Sequence, residues 1–327
     1  MGRSVKILIT GGLGFIGINL VRGLAAHTGV SVVAADLLPW DEVMDRFLAP
    51  VRAQVLPRRL DVRNPGAVTD LIIAEDITHI VHCAAITPTE AEEARRAEEI
   101  VAVNLHGTTH VLAAAANSPR VERLLVISSS GIYGAPAAGS TQLQRETDPL
   151  ALTNLYAITK HSAELLAARF AVLSGKSMAA VRLPAIYGPM ERSLASRRQT
   201  SAPGLLMAAL HAGRRVSVAG AAVVRDWTYA EDVAEGIWAL INATTWRFPV
   251  YNLSVGHAVQ FSEVVQAYVD VGLEAEWVDA VDQPDIVMHT SHARAPLDIG
   301  RLQADTDFKP AFSITEGILR WLAKTKS

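Results

Sequence analysis

The stretch Thr10-Gly11-Gly12-Leu13-Gly14-Phe15-Ile16-Gly17 constrains this chain more than any other part of it. An apolar run over residues 5–9 leads into it, and Phe15, Ile16, Ile18, Leu20, Val21 and Leu24 follow at helical spacing. Strand, tight glycine turn and helix start, in that order, leave little choice of fold. Glycine lets the backbone come close to a ligand, and the free N–H groups of a helix start attract negative charge. The spacing fits the fingerprint of a dinucleotide pyrophosphate site. Gly11, Gly14, Phe15, Ile16 and Gly17 are the residues expected to line it.

The rest of the first half repeats the same rhythm. Residues 30–35 read as a buried strand ending at Asp36, and 53–60 as a third strand ending in Asp61-Val62. A fourth, 77–83, closes on Ala84-Ala85; a fifth, 123–127, runs into Ser128-Ser129-Ser130-Gly131; a sixth, 178–183, stops at Pro184. Helical patterns start near Pro65, run over 92–116 and begin again near Leu155. Alternation of this kind predicts an α/β fold, a Rossmann-like doubly wound parallel sheet covered on both faces. Residues 1–184 are expected to form the dinucleotide-binding domain, with about 225–250 returning to it. Residues 185–327 then make mainly a smaller α/β substrate-binding region. Residues 134–153 read as loop and the basic stretch 192–203 as a mobile loop. The run Glu92, Glu93, Arg95, Arg96, Glu98, Glu99 reads as a solvated helix face. No internal repeat or low-complexity tract is visible.

Bulk properties narrow the partners. Among 327 residues, 19% are charged and the net charge is -3, so nothing attracts nucleic acid or an anionic membrane. No apolar stretch approaches the roughly 20 residues that span a bilayer. The chain enters a strand within a few residues of Met1, so no signal peptide is expected. A lone cysteine, Cys83, excludes an internal disulfide and suits a reducing compartment. The expectation is a cytoplasmic protein acting on a small molecule, without a metal site.

Two further signals give that molecule some chemistry. Asp36 follows the second strand about 20 residues past the glycines, where a carboxylate meets the adenosine ribose hydroxyls. A carboxylate there repels the extra phosphate of NADP, so NAD is favoured; the bland alternative is a turn residue or helix cap. Tyr156-Ala157-Ile158-Thr159-Lys160 puts a phenol and an ammonium one turn apart on a helix. A free tyrosine, with a pKa of about 10, is a poor base at neutral pH, and a neighbouring positive charge favours its phenolate. Tyr156 can then take a proton from a substrate hydroxyl while a hydride leaves the same carbon for NAD. A serine after the fifth strand would hold that hydroxyl in register.

In this arrangement the chain resembles the extended short-chain dehydrogenase/reductases, the NAD-dependent epimerase/dehydratase family, over nearly its full length. The matching pieces are TGGLGFIG (10–17), Asp36, LDV (60–62), HCAA (82–85), VNLHGT (103–108), SSSGIYG (128–134), YAITK (156–160) and RDWTYAEDVAEG (225–236). The resemblance implies that Asp61 and Val62 lie by the adenine, Ala84 beside the cofactor ribose and Leu183 against the cofactor. It makes Tyr156 the catalytic base, with Lys160 binding the nicotinamide ribose. Counting back from Tyr133-Gly134 makes Ser129 the catalytic serine; counting forward from the strand allows Ser130, otherwise a substrate contact together with Tyr187 and Arg225. His82 and Cys83 read as packing, and Asn104 as a structural hydrogen-bonding residue beneath the site.

The departures bear on substrate. Dehydratase members carry an Asp-Glu pair after the catalytic threonine; here Ser130 and Gly131 stand there, and dehydration is not expected. Nucleotide-sugar epimerases usually carry an Asn after the sixth strand that contacts the substrate diphosphate; here it is Ala185. Arg225 points the other way, resembling the arginine that binds a nucleotide diphosphate, although it could hold a sugar-acid carboxylate or pair with Asp226 or Asp232. The leading expectation is a sugar epimerase of the nucleotide-sugar type. The second is a net dehydrogenase or reductase of a non-nucleotide sugar, polyol or sugar acid. A non-catalytic dinucleotide sensor, the third, does not need the Tyr156/Lys160 pair. The resemblance also implies a homodimer through helices at about 92–116 and 154–173.

Overall fold

A computed structural model describes residues 5–136 and 142–325; residues 137–141, part of the expected 134–153 loop, lie outside the described residues. The chain opens with β1 (Val5–Thr10), α1 (Phe15–Ala25), β2 (Val30–Asp36), α2 (Glu42–Leu48) and β3 (Val55–Arg59). It continues through α3 (Pro65–Ala74), β4 (His79–His82), α4 (Glu90–Arg95), α5 (Ala97–Val101), α6 (Thr108–Asn117), β5 (Arg123–Ser129), α7 (Leu155–Ser174) and β6 (Ser177–Leu183). Then follow β7 (Ala185–Tyr187), α8 (Ala202–His211), β8 (Val216–Ala219), β9 (Val224–Arg225), β10 (Trp227–Tyr229), α9 (Ala230–Asn242) and β11 (Val250–Asn252). The last elements are β12 (Val259–Gln260), α10 (Phe261–Val269), β13 (Ala275–Trp277), β14 (Ile286–Val287), α11 (Gly300–Asp305) and α12 (Ile314–Thr325).

Seven strands form one parallel sheet in the order β11-β6-β5-β4-β1-β2-β3. Alternation along each strand sends neighbours to opposite faces. Ile7 and Ile9 join a core shared with α1 and α9, while Leu8 joins one shared with α3, α6 and α7. Both faces are therefore covered, as the continuous apolar runs predicted. The 225–250 stretch supplies α9, packed on α1, and is followed by the seventh strand. The remaining C-terminal elements bury their own core between α8, α10, α12 and β8.

Two local expectations need correction. The helix expected over 92–116 is broken into α4, α5 and α6, with residues Ala102–Gly107 widened into a π-turn between the last two. Within that turn Asn104 accepts from Ile86 N at 2.7 Å and donates to Ile86 O at 3.0 Å. A side chain tied this way to the loop after β4 accompanies a local widening of the regular ladder. The charged run is also not uniformly solvated. Glu92 is buried, closes a capping box with Thr89, and pairs with Arg96 at 3.1 Å and Arg198 at 2.8 Å.

Candidate active site

Ligands of an open parallel sheet bind beyond the carboxyl ends of its strands, where the strand order reverses. Here that reversal lies between β1 and β4, and a cleft of about 300 Å³ opens over it. Its floor is the glycine turn. A Cβ on Gly11, which has φ of +66°, would stand 2.7 Å from the Ala84 backbone, and one on Gly17 would fall on Gly11 O. Only glycine lets β1, the turn and the start of α1 close up this tightly. The first helical hydrogen bond runs from Ile18 N to Gly14 O, and no side chain caps the helix. The N–H groups of Phe15, Ile16 and Gly17 are left for a ligand. Such a cradle fits a pyrophosphate.

Gly11, Gly14, Phe15, Ile16, Gly17, Asp36, Asp61, Val62, Ala84, Tyr156 and Lys160 all line this cleft. Asp36 accepts from Leu13 N and Leu38 N, each at 3.0 Å, so it fixes a turn and faces the cleft at once. Asp61 is held below the usual carboxylate range by its two-pronged bond to Arg63, which also lines the cleft. Leu183 belongs instead to the wall of a second, adjoining cleft of about 730 Å³.

The two clefts share Phe15, Ile16, Thr87, Ile127, Tyr156 and Arg197. Tyr156 stands in the first turn of α7, whose start is capped by Asn154 through Ala157 N and held by Glu93 at Leu155 N. Lys160 is buried, donates to Ile127 O at 2.7 Å, and holds its ammonium 5.8 Å from the Tyr156 ring centre. Ser129 ends β5 and lines the second cleft; its Oγ accepts from Gly131 N at 3.0 Å. Gly131 packs between Ser129 Oγ and the Tyr156 ring, because a Cβ there would stand 3.2 Å from one and 4.0 Å from the other. Ser130 is buried and lines neither cleft. A phenol, an ammonium and a hydroxyl thus meet where the clefts join, an arrangement that can pass a proton to and from a bound hydroxyl.

Beneath this junction lies a polar scaffold. His82 bonds Thr10 Oγ1 at 2.6 Å and Thr108 Oγ1 at 2.9 Å, and burial beside Lys160 pushes its pKa down to about 3, so the ring is neutral. Burial pushes the Cys83 thiol up to about 12, which removes it as a nucleophile. Asn104 Nδ2 reaches Thr159 Oγ1 at 3.2 Å and so joins the π-turn to α7. Glu164, one turn beyond Lys160, accepts from Ser128 Oγ at 2.5 Å and takes both prongs of Arg182 at 2.9 and 2.7 Å.

The far wall of the second cleft is cationic. Arg225 lies 5.0 Å above the Trp227 ring, and its Nε is buried without a partner. Burial, then Arg294 and Arg197, lowers its pKa to about 10, still charged at neutral pH. Neither acidic neighbour in sequence pairs with it. Asp226 accepts from Leu297 N and Thr228 Oγ1, and Asp232 from Ala311 N and Phe312 N. Arg294 is set beside it by a bond from its N–H to Val224 O, and His292 also lines the cleft. Ala185 lines the cleft opposite Trp227 in the β7/β10 register.

Tyr187 does not belong to the site. It is fully buried, its ring against Tyr229 at 5.4 Å and its hydroxyl 3.4 Å from the Ser313 and Ile314 carbonyls. It lines neither cleft, although its neighbours Ala185 and Ile186 on the short strand β7 line the second. Thr87, Arg197, Trp227, His292 and Arg294 were not singled out from sequence; among them Arg197 lay in the basic stretch 192–203 and Trp227 in the RDWTYAEDVAEG match.

Comparisons with known proteins agree with this site. Residues 7–254 match the model of the NAD dependent epimerase/dehydratase family. A dTDP-glucose 4,6-dehydratase of Streptomyces griseus is 30% identical, over 99% of this chain and 96% of its own. The structure of MoeE5 in complex with UDP-glucuronic acid and NAD superposes with a TM-score of 0.77 at 25% identity, over 98% of this chain and 99% of that one. UDP-glucose 4-epimerase of Thermus thermophilus, in complex with NAD, shares the fold with a TM-score of 0.78 at 24% identity, over 99% of both chains. The glycine cradle, its cleft and these matches together make NAD the cofactor, and the chain belongs to the NAD-dependent epimerase/dehydratase family of enzymes.

Proposed function

We propose that this enzyme is an epimerase of nucleoside-diphosphate sugars. The observation that carries the reading is the junction of the two clefts. Tyr156 and Ser129 line the substrate cleft, with Lys160 in the adjoining dinucleotide cleft, and an unpaired Arg225, with Arg294 beside it, stands in the substrate-cleft wall. Two arginines without a carboxylate partner among the described residues match the two negative charges of a diphosphate. MoeE5 is named with UDP-glucuronic acid bound, and a nucleotide sugar of that kind suits this cleft.

When bound, NAD supplies a hydride acceptor and donor. The chain does the rest. Tyr156 takes the proton of the substrate hydroxyl and later returns it. Lys160 holds the phenolate and the cofactor ribose in place, and Ser129 donates a hydrogen bond to the same substrate oxygen. Arg225 keeps the diphosphate fixed while the sugar turns in a cleft of about 730 Å³. Elimination of water needs an acid and a base beside the serine, and Ser130 and Gly131 supply neither. Glycine and a buried hydroxyl favour epimerisation over dehydration.

One observation favours a second reading. Ala185 offers no hydrogen bond in the wall that faces the substrate, which suits a net dehydrogenase or reductase of a smaller sugar or sugar acid, held by Arg225 alone. Incubating the NAD-loaded enzyme with UDP-glucose, UDP-glucuronic acid and dTDP-glucose, and resolving the products by NMR, separates the readings. An epimer without net change at 340 nm is expected; accumulation of NADH or of a 4-keto-6-deoxy product would overturn the proposal.

We also propose a homodimer. Ile158, Leu165 and Val172 recur every seventh residue along α7, all exposed, with Leu173 beside them. A straight apolar seam on a long surface helix suits packing against its own copy.

A further inference from the structure

The family fingerprints account for the floor of the NAD site, but its roof is built by a segment they do not include. Residues 194–197 line the dinucleotide cleft together with the glycine turn and Asp36. The segment folds back on itself, with Leu194 and Arg197 exchanging backbone bonds at 2.8 and 3.0 Å. Its two ends are tied together by Glu191, whose carboxylate accepts from Ser201 N at 2.8 Å, Ser201 Oγ at 2.6 Å and Arg197 at 2.6 Å. A loop closed on its own side chains in this way moves as one body. Just before it, Met190 takes a φ of +65°, a conformation that a side chain rarely adopts.

What holds this body down is a set of contacts to both lips of the cleft. On one lip, Arg192 pairs with Asp41 at 2.8 Å. On the other, Arg198 pairs with Glu92 at 2.8 Å, Arg96 donates to Ala195 O at 3.0 Å, and Thr87 N donates to Ser196 O at 2.8 Å. Between them Arg197 lies 5.1 Å above the Phe15 ring, at the start of the helix that receives the pyrophosphate. Its Nη1 is buried without a partner, in the wall shared by both clefts.

We propose that residues 191–201 are a strap that completes the NAD site, latched across it by the Arg192–Asp41 and Arg198–Glu92 ion pairs, with Arg197 as its contact to the dinucleotide. The cofactor leaves only when the strap lifts. Its exchange is therefore slow and salt-sensitive, because both latches reach solvent and are screened. A latched cofactor also keeps the hydride on the enzyme until the substrate takes it back, which holds the reaction redox-neutral. The proposal rests on the NAD site and not on the choice of sugar, and it is tested without substrate.

The test loads the full-length enzyme with radiolabelled NAD, adds excess unlabelled NAD, and follows label retained on a filter at low and high salt. For the wild type, slow exchange that accelerates with salt is expected. In Arg192→Ala/Arg198→Ala, exchange at low salt should rise about tenfold or more and lose most of its salt dependence. Exchanging the charges, Asp41→Arg with Arg192→Asp, should restore slow exchange where Arg192→Asp alone does not. Arg197→Gln should speed exchange without changing its salt dependence. Melting curves at saturating NAD identify any variant that fails to fold, and each single substitution then stands in for the double one. Exchange in the double variant at the wild-type rate, or wild-type exchange indifferent to salt, would overturn the proposal.

Discussion

Tyr156 and Arg225 both line the substrate cleft, and under the proposed function their removal should have different signatures. Tyr156→Phe deletes one oxygen at the cleft junction. Turnover should fall several hundredfold or more while NAD binding, measured by titration, stays as in the wild type. Near-normal turnover would remove Tyr156 as the base. Arg225→Gln should act on KM for a nucleotide sugar, by about tenfold or more, with a smaller effect on kcat. Equal KM values would mean that no anion sits there. Asp36 faces the cleft with both oxygens fixed by backbone N–H groups, so NAD should bind at least tenfold tighter than NADP. Beside Arg225, burial raises the Asp226 pKa to about 7. In the unfolded chain it is near the ordinary value of about 3.9. The folded state thus holds a proton that the unfolded state has lost, and stability from this group falls as pH rises through about 7. Asp226→Asn should gain melting temperature relative to the wild type between pH 5 and 8; parallel curves would contradict the burial argument.

At the scale of elements, the sequence was most readable where one local segment does one job. The turn at 10–17, the strand ends at Asp36, Asp61 and Ala84, and the Tyr156/Lys160 turn each announce themselves within a few residues, and the structure places them on one cleft. Elements shaped by distant partners were not readable in this way. The helix expected over 92–116 is interrupted at Arg96 and widened at 102–107, where Asn104 reaches back to Ile86, a contact no helical period encodes. Tyr187 looked like a substrate residue from its neighbours, yet its hydroxyl meets carbonyls of residues 313 and 314. The contacts of the basic stretch 192–203 run to Asp41, Thr87 and Glu92, all far from it in sequence, and to Glu191 just before it. Arg225 was singled out, but its freedom from Asp226 and Asp232 follows only from where β9, β10 and α9 turn those carboxylates.

For the whole molecule, the two clefts and the exposed apolar stripe on α7 are set by the same elements. The sheet fixes the cofactor cleft, the C-terminal core around α8 and α10 adjoins the substrate cleft, and α7 carries both Tyr156, the proposed base, and the exposed apolar stripe. If that stripe joins two copies, Leu165→Glu with Val172→Glu should turn a dimer into a monomer in sedimentation, at little cost to NAD binding. A wild-type monomer at micromolar concentration would refute the seam. Redox-neutral inversion of a sugar hydroxyl under a retained cofactor is the central claim. Its most direct measurement is a single-turnover experiment with NAD-loaded enzyme and a nucleoside-diphosphate sugar, reading absorbance at 340 nm and product stereochemistry together. The expected result is an epimer with a transient absorbance that returns to baseline and no nicotinamide released. NADH accumulating in proportion to product, free in solution, would contradict it.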